Sequence, residues 1–203
     1  MYVPEHFRAP DPGAIEALIT THPLATLVTH DEGGGLVANH VPMLFDRSRG
    51  PHGTLVGHVA KANPVWRVAG PALAVFTGPD AYISPSWYPS KAEHGKVVPT
   101  WNYAAVHAHG SLRVTTDPGI LLGIVSALTR RHESGRTEPW SVEDAPADYI
   151  ASMLRAIVGI ELEIERVEAK FKLSQNRPDA DRRGVWAGLS GEGSAAAALH
   201  TAR

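Results

Sequence analysis

The 203-residue chain contains no cysteine, which excludes disulfide bonds, thiolate metal sites and a cysteine nucleophile. It also lacks a large net charge: the formal value is −2 at pH 7, without the basic excess that is typical of nucleic-acid-binding proteins. No apolar stretch is long enough to span a membrane, and the first residues lack the apolar core of a signal peptide. These absences predict a soluble, cytoplasmic protein.

Several motifs of catalysis and ligand binding are missing as well. The chain has no G-x-G-x-x-G that opens a helix and no G-x-x-x-x-G-K-[ST], so the run Gly33–Gly35 predicts a hairpin turn and not a phosphate loop. It has no serine nucleophile elbow. His107 and His109 would share one face of a strand, but no third ligand follows at a recognisable spacing, so no metal site is predicted.

Hydrophobic patterning predicts short strands with interspersed helices. Asp11-Pro12 and Asp117-Pro118 are typical helix starts, and 147–156 and 179–189 also have helical character. Strands are predicted at 24–30, 36–46, 54–60, 73–77, 97–114 and 158–167, with a turn at Gly78-Pro79 and an ordered loop over 81–91. The pattern predicts a mainly β barrel with added helices (α+β). Residues 1–189 are predicted to form a single domain and residues 190–203 a flexible or frayed helical tail.

Three polar segments each have two interpretations. The cluster Pro99–Tyr103 is either a strand entry whose indole plugs a barrel mouth or the wall of a site for a flat ligand. Lys61 is either a surface lysine or a phosphate donor. The run Lys172–Arg177 is either a solvated turn or a polar rim for a ligand ring edge or an anionic substrate.

Six segments of the chain resemble one known family in order and spacing. They are MYVPEHF, HVPML, GHVAKANP, GPDAYISPSWY, VPTWNYAAVHAHG and KLSQNRP, and the match as a whole covers Met1 to about Leu189. They resemble the PaiB family, described as FMN-binding negative transcriptional regulators. The resemblance implies the split β-barrel shared with pyridoxamine-phosphate-oxidase-like flavoproteins, a homodimer, and FMN in the groove between the two chains.

The resemblance also implies where the cofactor binds. The flavin ring would lie along His40, Val41, Pro42 and Met43 and near Thr100, Trp101 and Asn102. The phosphate would face Lys61, Ala62 and Asn63, and a loop with Ser84, Ser86 and Trp87 would close over the cofactor. The open face of the ring would meet Lys172, Gln175 and Arg177, either of the same chain or of the partner chain.

The sequence is compatible with three functions. The first is a flavin-linked repressor, for which the best basic features are Arg130, Arg131 and Arg136, and Arg182 with Arg183, although no helix-turn-helix pattern is evident. The second is an FMN-dependent oxidoreductase that acts on a small molecule, with His40, His107 and Arg177 as candidate reactive groups. The third is a carrier of a flavin or haem-type ligand without turnover.

Overall fold

The structure is a computed structural model and describes residues 1–68 and 70–201, without the side chains of residues 200 and 201. Its strands are β1 (Leu24–His30), β2 (Leu36–Pro42), β3 (Leu44–Asp46), β4 (Thr54–Ala60), β5 (Gly70–Ile83), β6 (Thr100–Thr115) and β7 (Ile157–Lys172). Its helices are α1 (Pro12–Thr21), α2 (Ser90–His94), α3 (Pro118–Glu133), α4 (Ala147–Arg155), α5 (Asp179–Gly191) and α6 (Ala198–Thr201). Short 3₁₀ turns lie at Glu5–Phe7, Pro64–Arg67, Pro85–Trp87, Val142–Asp144 and Ala195–Ala197.

Local capping signals explain where the helices begin. The Asp11 carboxylate accepts a hydrogen bond from the Ala14 N–H at 2.9 Å, and Asp117 accepts one from the Ile120 N–H at 2.9 Å. In both cases a proline follows in the first turn, where no intrahelical donor is needed. The predicted helix starts are therefore confirmed. Among the described residues, no helix is long and apolar enough to cross a membrane.

The seven strands form one sheet in the order β2-β1-β5-β6-β7-β4-β3. β1 pairs antiparallel with β2 and β5, and β4 pairs antiparallel with β3 and β7. The predicted strand over residues 36–46 is wrong in one respect: it is two strands at opposite ends of the sheet, separated by Met43 alone. Pro42 ends β2, although the Met43 N–H still donates to the Pro23 carbonyl at 2.9 Å, one register step beyond the pair of Leu24 with Pro42.

Both ends of the sheet are thereby brought together. A Cβ on Gly57 of β4 would lie 2.8 Å from the Pro42 carbonyl oxygen at the end of β2, so only glycine permits this approach. Since the edge strands β2 and β3 are neighbours in sequence and β2 approaches β4, the sheet curls into a barrel.

Two further strand predictions need correction. β5 does not end at Gly78-Pro79 but continues to Ile83, and residues 81–91 contain its end, a 3₁₀ turn and α2. Gly78 serves close packing rather than a turn, since a Cβ there would lie 2.8 Å from Leu18 Cδ1 of α1. β6 begins at Thr100 instead of residue 97, and β7 runs on to Lys172.

The chain divides into two compact units, each built from separated stretches. Unit 1 comprises Met1–Leu18, Thr77–Val106 and Glu168–Arg203; unit 2 comprises Ile19–Phe76 and His107–Val167. A core cluster in unit 1 includes Ile83, Tyr88, Val185 and Leu189, and unit 2 buries Leu27, Leu55, Ile160 and Leu162. The predicted boundary after residue 189 stays a prediction, and residues 202 and 203 of the predicted tail lie outside the described residues.

Candidate functional site

The segment His40–Met43 forms the end of edge strand β2 and the residue after it, in unit 2. Val41 and Met43 are buried and belong to the core. His40 and Pro42 are exposed, and His40 Nδ1 lies 3.2 Å from Thr26 Oγ1 of β1. Because one side of an edge strand has no neighbouring strand, its backbone groups are available to a ligand. This segment can therefore offer His40 and main-chain groups to a flat heterocycle.

The segment Lys61–Asn63 follows β4 in the same unit and is firmly held. The Lys61 N–H donates to the Ala156 carbonyl at 2.7 Å, and Trp66 Nε1 donates to the Lys61 carbonyl at 3.0 Å. Asn63 caps the next 3₁₀ turn by accepting from the Val65 N–H at 3.0 Å. The Lys61 side chain is exposed, and within the described part of the chain its ammonium has no carboxylate partner. It can therefore receive a phosphate.

A hydrogen bond joins these two segments. Asn63 Nδ2 donates to Asn39 Oδ1 at 2.7 Å, which ties β2 to the loop after β4. The Asn39 Nδ2 group is buried and has no hydrogen-bond partner among the residues that the structure describes. An unsatisfied buried donor is costly and needs an explanation, such as a ligand. Asn39 was not predicted as a site residue, because no local spacing pattern in the sequence pairs it with Asn63, 24 residues further along the chain.

His58 of β4 is a second candidate site residue that was not predicted from the sequence. It is half-buried, its Nδ1 has no partner among the described residues, and burial lowers the pKa of its imidazole. It lines a cavity of about 330 Å³ whose walls are Pro42, His58, Leu128, Thr129, His132, Glu133 and Trp140. The lowered pKa means that this histidine is mainly neutral at pH 7.

In unit 1, the start of β6 meets the end of β7. Asn102 is completely buried, and its Nδ2 donates to Ser174 Oγ at 3.0 Å while Ser174 Oγ lies 3.2 Å from Asn102 Oδ1. Lys172 Nζ donates to Thr100 Oγ1. Burial, followed by the charges of Lys170 and Arg177, lowers the pKa of Lys172, and Tyr103 partly opposes this shift. Thus Thr100, Asn102 and Lys172 are brought together.

Trp101 lies apart from this polar group. Its side chain is 54% exposed and meets the ring of Tyr82 edge to face, with 6.3 Å between the centroids. Successive residues of a strand point to opposite faces, which explains why Trp101 is exposed while Asn102 is buried. The interpretation of Trp101 as a plug inside a barrel is therefore wrong.

Gln175 and Arg177 have different roles. The Gln175 amide closes its own turn, because Oε1 accepts from the Leu173 N–H at 2.6 Å and Nε2 donates to the Phe171 carbonyl. The guanidinium carbon of Arg177 lies 4.9 Å from the ring centroid of Tyr88. Burial raises the pKa of the Tyr88 phenol, and the nearby guanidinium opposes this shift. Arg177, unlike Gln175, thus keeps donors available for a ligand.

The loop with Ser84, Ser86 and Trp87 is anchored in unit 1. Ser84 Oγ accepts from the Ser86 N–H at 3.2 Å, and Ser86 Oγ accepts from Lys91 Nζ at 3.3 Å. A Cβ on Gly188 of α5 would overlap the Trp87 indole, so the glycine permits the ring to pack against this helix. Ala62, the remaining predicted site residue, is exposed between Lys61 and Asn63 in unit 2.

Comparison with known proteins gives the chain a family context. A family model, FMN_bind_2, described as "Putative FMN-binding domain", matches residues 1–166. The chain is 32% identical over 195 residues to Protease synthase and sporulation protein PAI 2 of Bacillus subtilis (strain 168), covering 95% of this chain and 90% of that protein. It is 34% identical over 161 residues to Uncharacterized protein YKL070W of Saccharomyces cerevisiae (strain ATCC 204508 / S288c), covering 68% and 94%.

Solved structures support the fold. The FAD and Heme binding protein from Mycobacterium smegmatis has a TM-score of 0.55 at 21% identity, with 81% of this chain and 73% of that chain covered. The conserved hypothetical protein Rv2991 from Mycobacterium tuberculosis has a TM-score of 0.60 at 13% identity, with 88% and 94% covered. The predicted α+β split barrel is confirmed. Lys172, Gln175 and Arg177 lie beyond the residues that the family model matches.

Proposed function

The chain belongs to the FMN_bind_2 family, and we propose from this premise that it is an FMN-binding homodimer that acts as a flavin-linked negative regulator of transcription. FMN is the cofactor that the description of the family names. The related PAI 2 protein is named for protease synthase and sporulation, and its name gives no small-molecule substrate, which supports a regulatory role over turnover. FMN would then be the sensed signal.

The single observation that carries FMN binding is the Asn39–Asn63 hydrogen bond in unit 2, with its unsatisfied Asn39 Nδ2 donor. The residues present fit the cofactor: the exposed Lys61 ammonium would bind the phosphate, and Asn39 would donate to a ribityl or phosphate oxygen. The edge of β2 would offer backbone groups to the polar edge of the ring. When bound, FMN supplies reversible one-electron and two-electron chemistry.

An exposed apolar surface supports the homodimer. In unit 1, Tyr82, Val98 and Trp101 are 50%, 65% and 54% exposed, although each side chain is large and apolar. Contiguous exposed apolar surfaces are typical of contacts between proteins. The ring contact between Tyr82 and Trp101 shows that these two side chains form one contiguous surface. We assign this surface to the contact between protomers.

FMN binding is tested on the purified protein. We expect a yellow protein, or a colourless one that takes up added FMN, and extraction should release a ligand with the mass of FMN. Lys61→Met should weaken FMN binding about tenfold or more, because a charge-assisted hydrogen bond contributes about 1.5–3 kcal/mol. Lys96→Met, at an exposed lysine before β6, is the matched control. Equal affinities of the two variants would remove Lys61 from the site.

The regulatory role is tested by DNA binding. Arg182 and Arg183 are exposed on α5, and Arg130 is exposed in the last turn of α3. These side chains are the proposed phosphate contacts, so a gel shift should weaken steeply as salt is raised. The assay compares FMN-loaded with FMN-stripped protein, and the two forms should differ in affinity. No retardation at low salt in either form would exclude the regulator.

One observation favours a second function, that of an FMN-dependent oxidoreductase. Burial and neighbouring cations lower the pKa of Lys172, which brings this ammonium closer to the range of a working proton donor. Anaerobic NADH or NADPH should then bleach the flavin absorbance of the purified protein, and Lys172→Met should slow reoxidation by an acceptor. Unchanged absorbance with both NADH and NADPH would exclude the oxidoreductase and favour the sensor function.

A further inference from the structure

Unit 1 contains three cationic side chains that have no carboxylate partner among the residues that the structure describes: Lys170, Lys172 and Arg177. Lys170 and Lys172 are two residues apart in β7 and therefore share one face of the strand, and Arg177 follows in the turn closed by its N–H to the Ser174 carbonyl. The charges of Lys170 and Arg177 both act on Lys172. The nearby carboxylates are engaged elsewhere. Glu168 receives the terminal ammonium of Met1 at 2.5 Å, and the Asp181 oxygens accept from Ser90 N–H and Oγ at 3.1 and 2.7 Å.

Each cation is held in position by a neutral group. Lys172 Nζ donates to Thr100 Oγ1. Lys170 Nζ lies 5.4 Å from the ring centroid of Tyr103 and 5.7 Å from that of Tyr2. Arg177 stacks on Tyr88. Hydroxyl and aromatic partners orient a cation without neutralising it, so the local excess of positive charge remains.

The backbone between Lys172 and Arg177 is also specifically shaped. Ser174 has a φ of 63°, the only non-glycine residue with positive φ among those that the structure describes, and its side chain is buried. A left-handed serine is strained and persists only where its surroundings hold it. Here the buried Asn102 side chain bonds to Ser174 Oγ, and the Gln175 amide closes the turn. This network fixes where Lys172 and Arg177 project from the loop.

We propose that Lys170, Lys172 and Arg177 form a binding site for a small ligand with an oxyanion group, either a phosphate or a carboxylate. Clustered cations repel one another, and a bound oxyanion would replace this repulsion with charge-assisted hydrogen bonds. The planar Arg177 donors suit both ligand groups, since each presents two oxygens. The site consists of unit 1 residues only, and its anion is a ligand other than FMN. It therefore goes beyond the proposed function and does not depend on it.

The first experiment titrates the full-length protein with inorganic phosphate and, separately, with benzoate. The probe is the side-chain Cε and Nζ chemical shifts of isotope-labelled lysine. We expect saturable binding of at least one anion and a rise in the Lys172 pKa when the site is filled. Saturation by phosphate alone, by benzoate alone or by both identifies the anion class. Absence of saturable binding of both would overturn the proposal.

The second experiment uses the pH dependence of binding. Because the pKa of free Lys172 is lowered and anion binding raises it, affinity should fall as pH rises through the free-state pKa. The charged or titratable groups that face Lys172 are Lys170, Tyr103 and Arg177. The Arg177 guanidinium lies over the Tyr88 ring, and the charges of Arg177 and Asp181 both act on the Tyr88 phenol.

Variants separate binding from folding. Lys172→Met should weaken anion binding about tenfold or more, because it removes a charge-assisted hydrogen bond. Lys172→Arg should still bind but lose this pH dependence, since a guanidinium stays charged. Lys96→Met, at an exposed lysine before β6, is the control and should bind as the unmodified protein does. Unchanged affinity in Lys172→Met, or an unchanged pH profile in Lys172→Arg, would contradict the proposal.

FMN content is measured on every variant in parallel. If Lys172→Met loses the anion and keeps FMN, the two sites are separate, as proposed. If the same variant loses FMN together with inorganic phosphate, the cations bind the cofactor's own phosphate and the proposal of a second ligand is wrong. A protein that binds no FMN at all would refute the proposed function, yet the phosphate and benzoate titrations could still be read.

Discussion

Removal of the Asn102–Ser174 interaction is the sharpest test of how unit 1 is organised. Both side chains are buried, at 0% and 3% exposure, and they bond to each other. Asn102→Ala leaves the Ser174 hydroxyl without this partner, at a cost of about 1–3 kcal/mol. The deleted carboxamide also leaves a small cavity, so the total loss of unfolding free energy should be about 3 kcal/mol.

Substitutions of Ser174, the other residue of this pair, separate the contribution of the hydrogen bond from that of backbone strain. Ser174→Ala removes the hydroxyl but keeps a side chain at positive φ, which costs about 1–2 kcal/mol. Ser174→Gly also removes the hydroxyl and relieves this strain, although glycine loses about 0.5–1 kcal/mol more in backbone entropy. We therefore expect Ser174→Gly to be more stable than Ser174→Ala by up to about 1.5 kcal/mol.

Urea unfolding of the single and double variants measures these energies. The Asn102→Ala/Ser174→Ala double variant should be less destabilised than the sum of the single variants, with a coupling of about 1–2 kcal/mol. The slope of free energy against urea should stay constant, so that midpoint shifts report stability. Additive effects, or Ser174→Gly less stable than Ser174→Ala, would refute the buried pair and the strained loop.

Three further predictions concern other parts of the molecule. Gly110→Ala should destabilise the protein by about 3 kcal/mol or more in thermal unfolding, because its Cβ would overlap the Glu163 backbone carbonyl; Gly123→Ala on the open face of α3 should instead stabilise it by up to about 1 kcal/mol. Since burial lowers the pKa of His58 below the unfolded value of 6.5, the unfolded chain binds more protons, and stability should fall as pH drops below 6.5. His58→Phe should reduce this slope in urea titrations at several pH values, and an unchanged slope would contradict the assignment. Trp101→Ala should alter stability by less than about 1 kcal/mol but weaken the proposed homodimer in sedimentation, whereas Val114→Ala, exposed near the end of β6 in unit 2, should not.

Local patterns in the sequence were sufficient for most elements. The helix starts after Asp11 and Asp117 depend on neighbouring residues alone. In the strand predicted at 158–167, Ile160, Leu162 and Ile164 alternate with polar residues and are buried. The motifs shared with the PaiB family predicted the family and the split barrel. Predictions failed where tertiary structure decided the outcome: Gly78-Pro79 has turn composition, but β5 continues through it to Ile83, and Gly78 packs closely against Leu18.

For the candidate site, too, residue types could be read from the sequence, whereas contacts between distant residues could not. The sequence by itself determined that Lys61, Asn63 and the run from Lys172 to Arg177 are polar segments with hydrogen-bond donors, because residue type sets what a side chain can donate. Their contact with a phosphorylated heterocycle stays a prediction. Only the tertiary structure decided that Asn39 bonds to Asn63, that Asn102 is buried against Ser174, and that Trp101 faces outward. These contacts join residues from 24 to 72 positions apart, and such pairings depend on strand register and barrel closure, which no local pattern encodes.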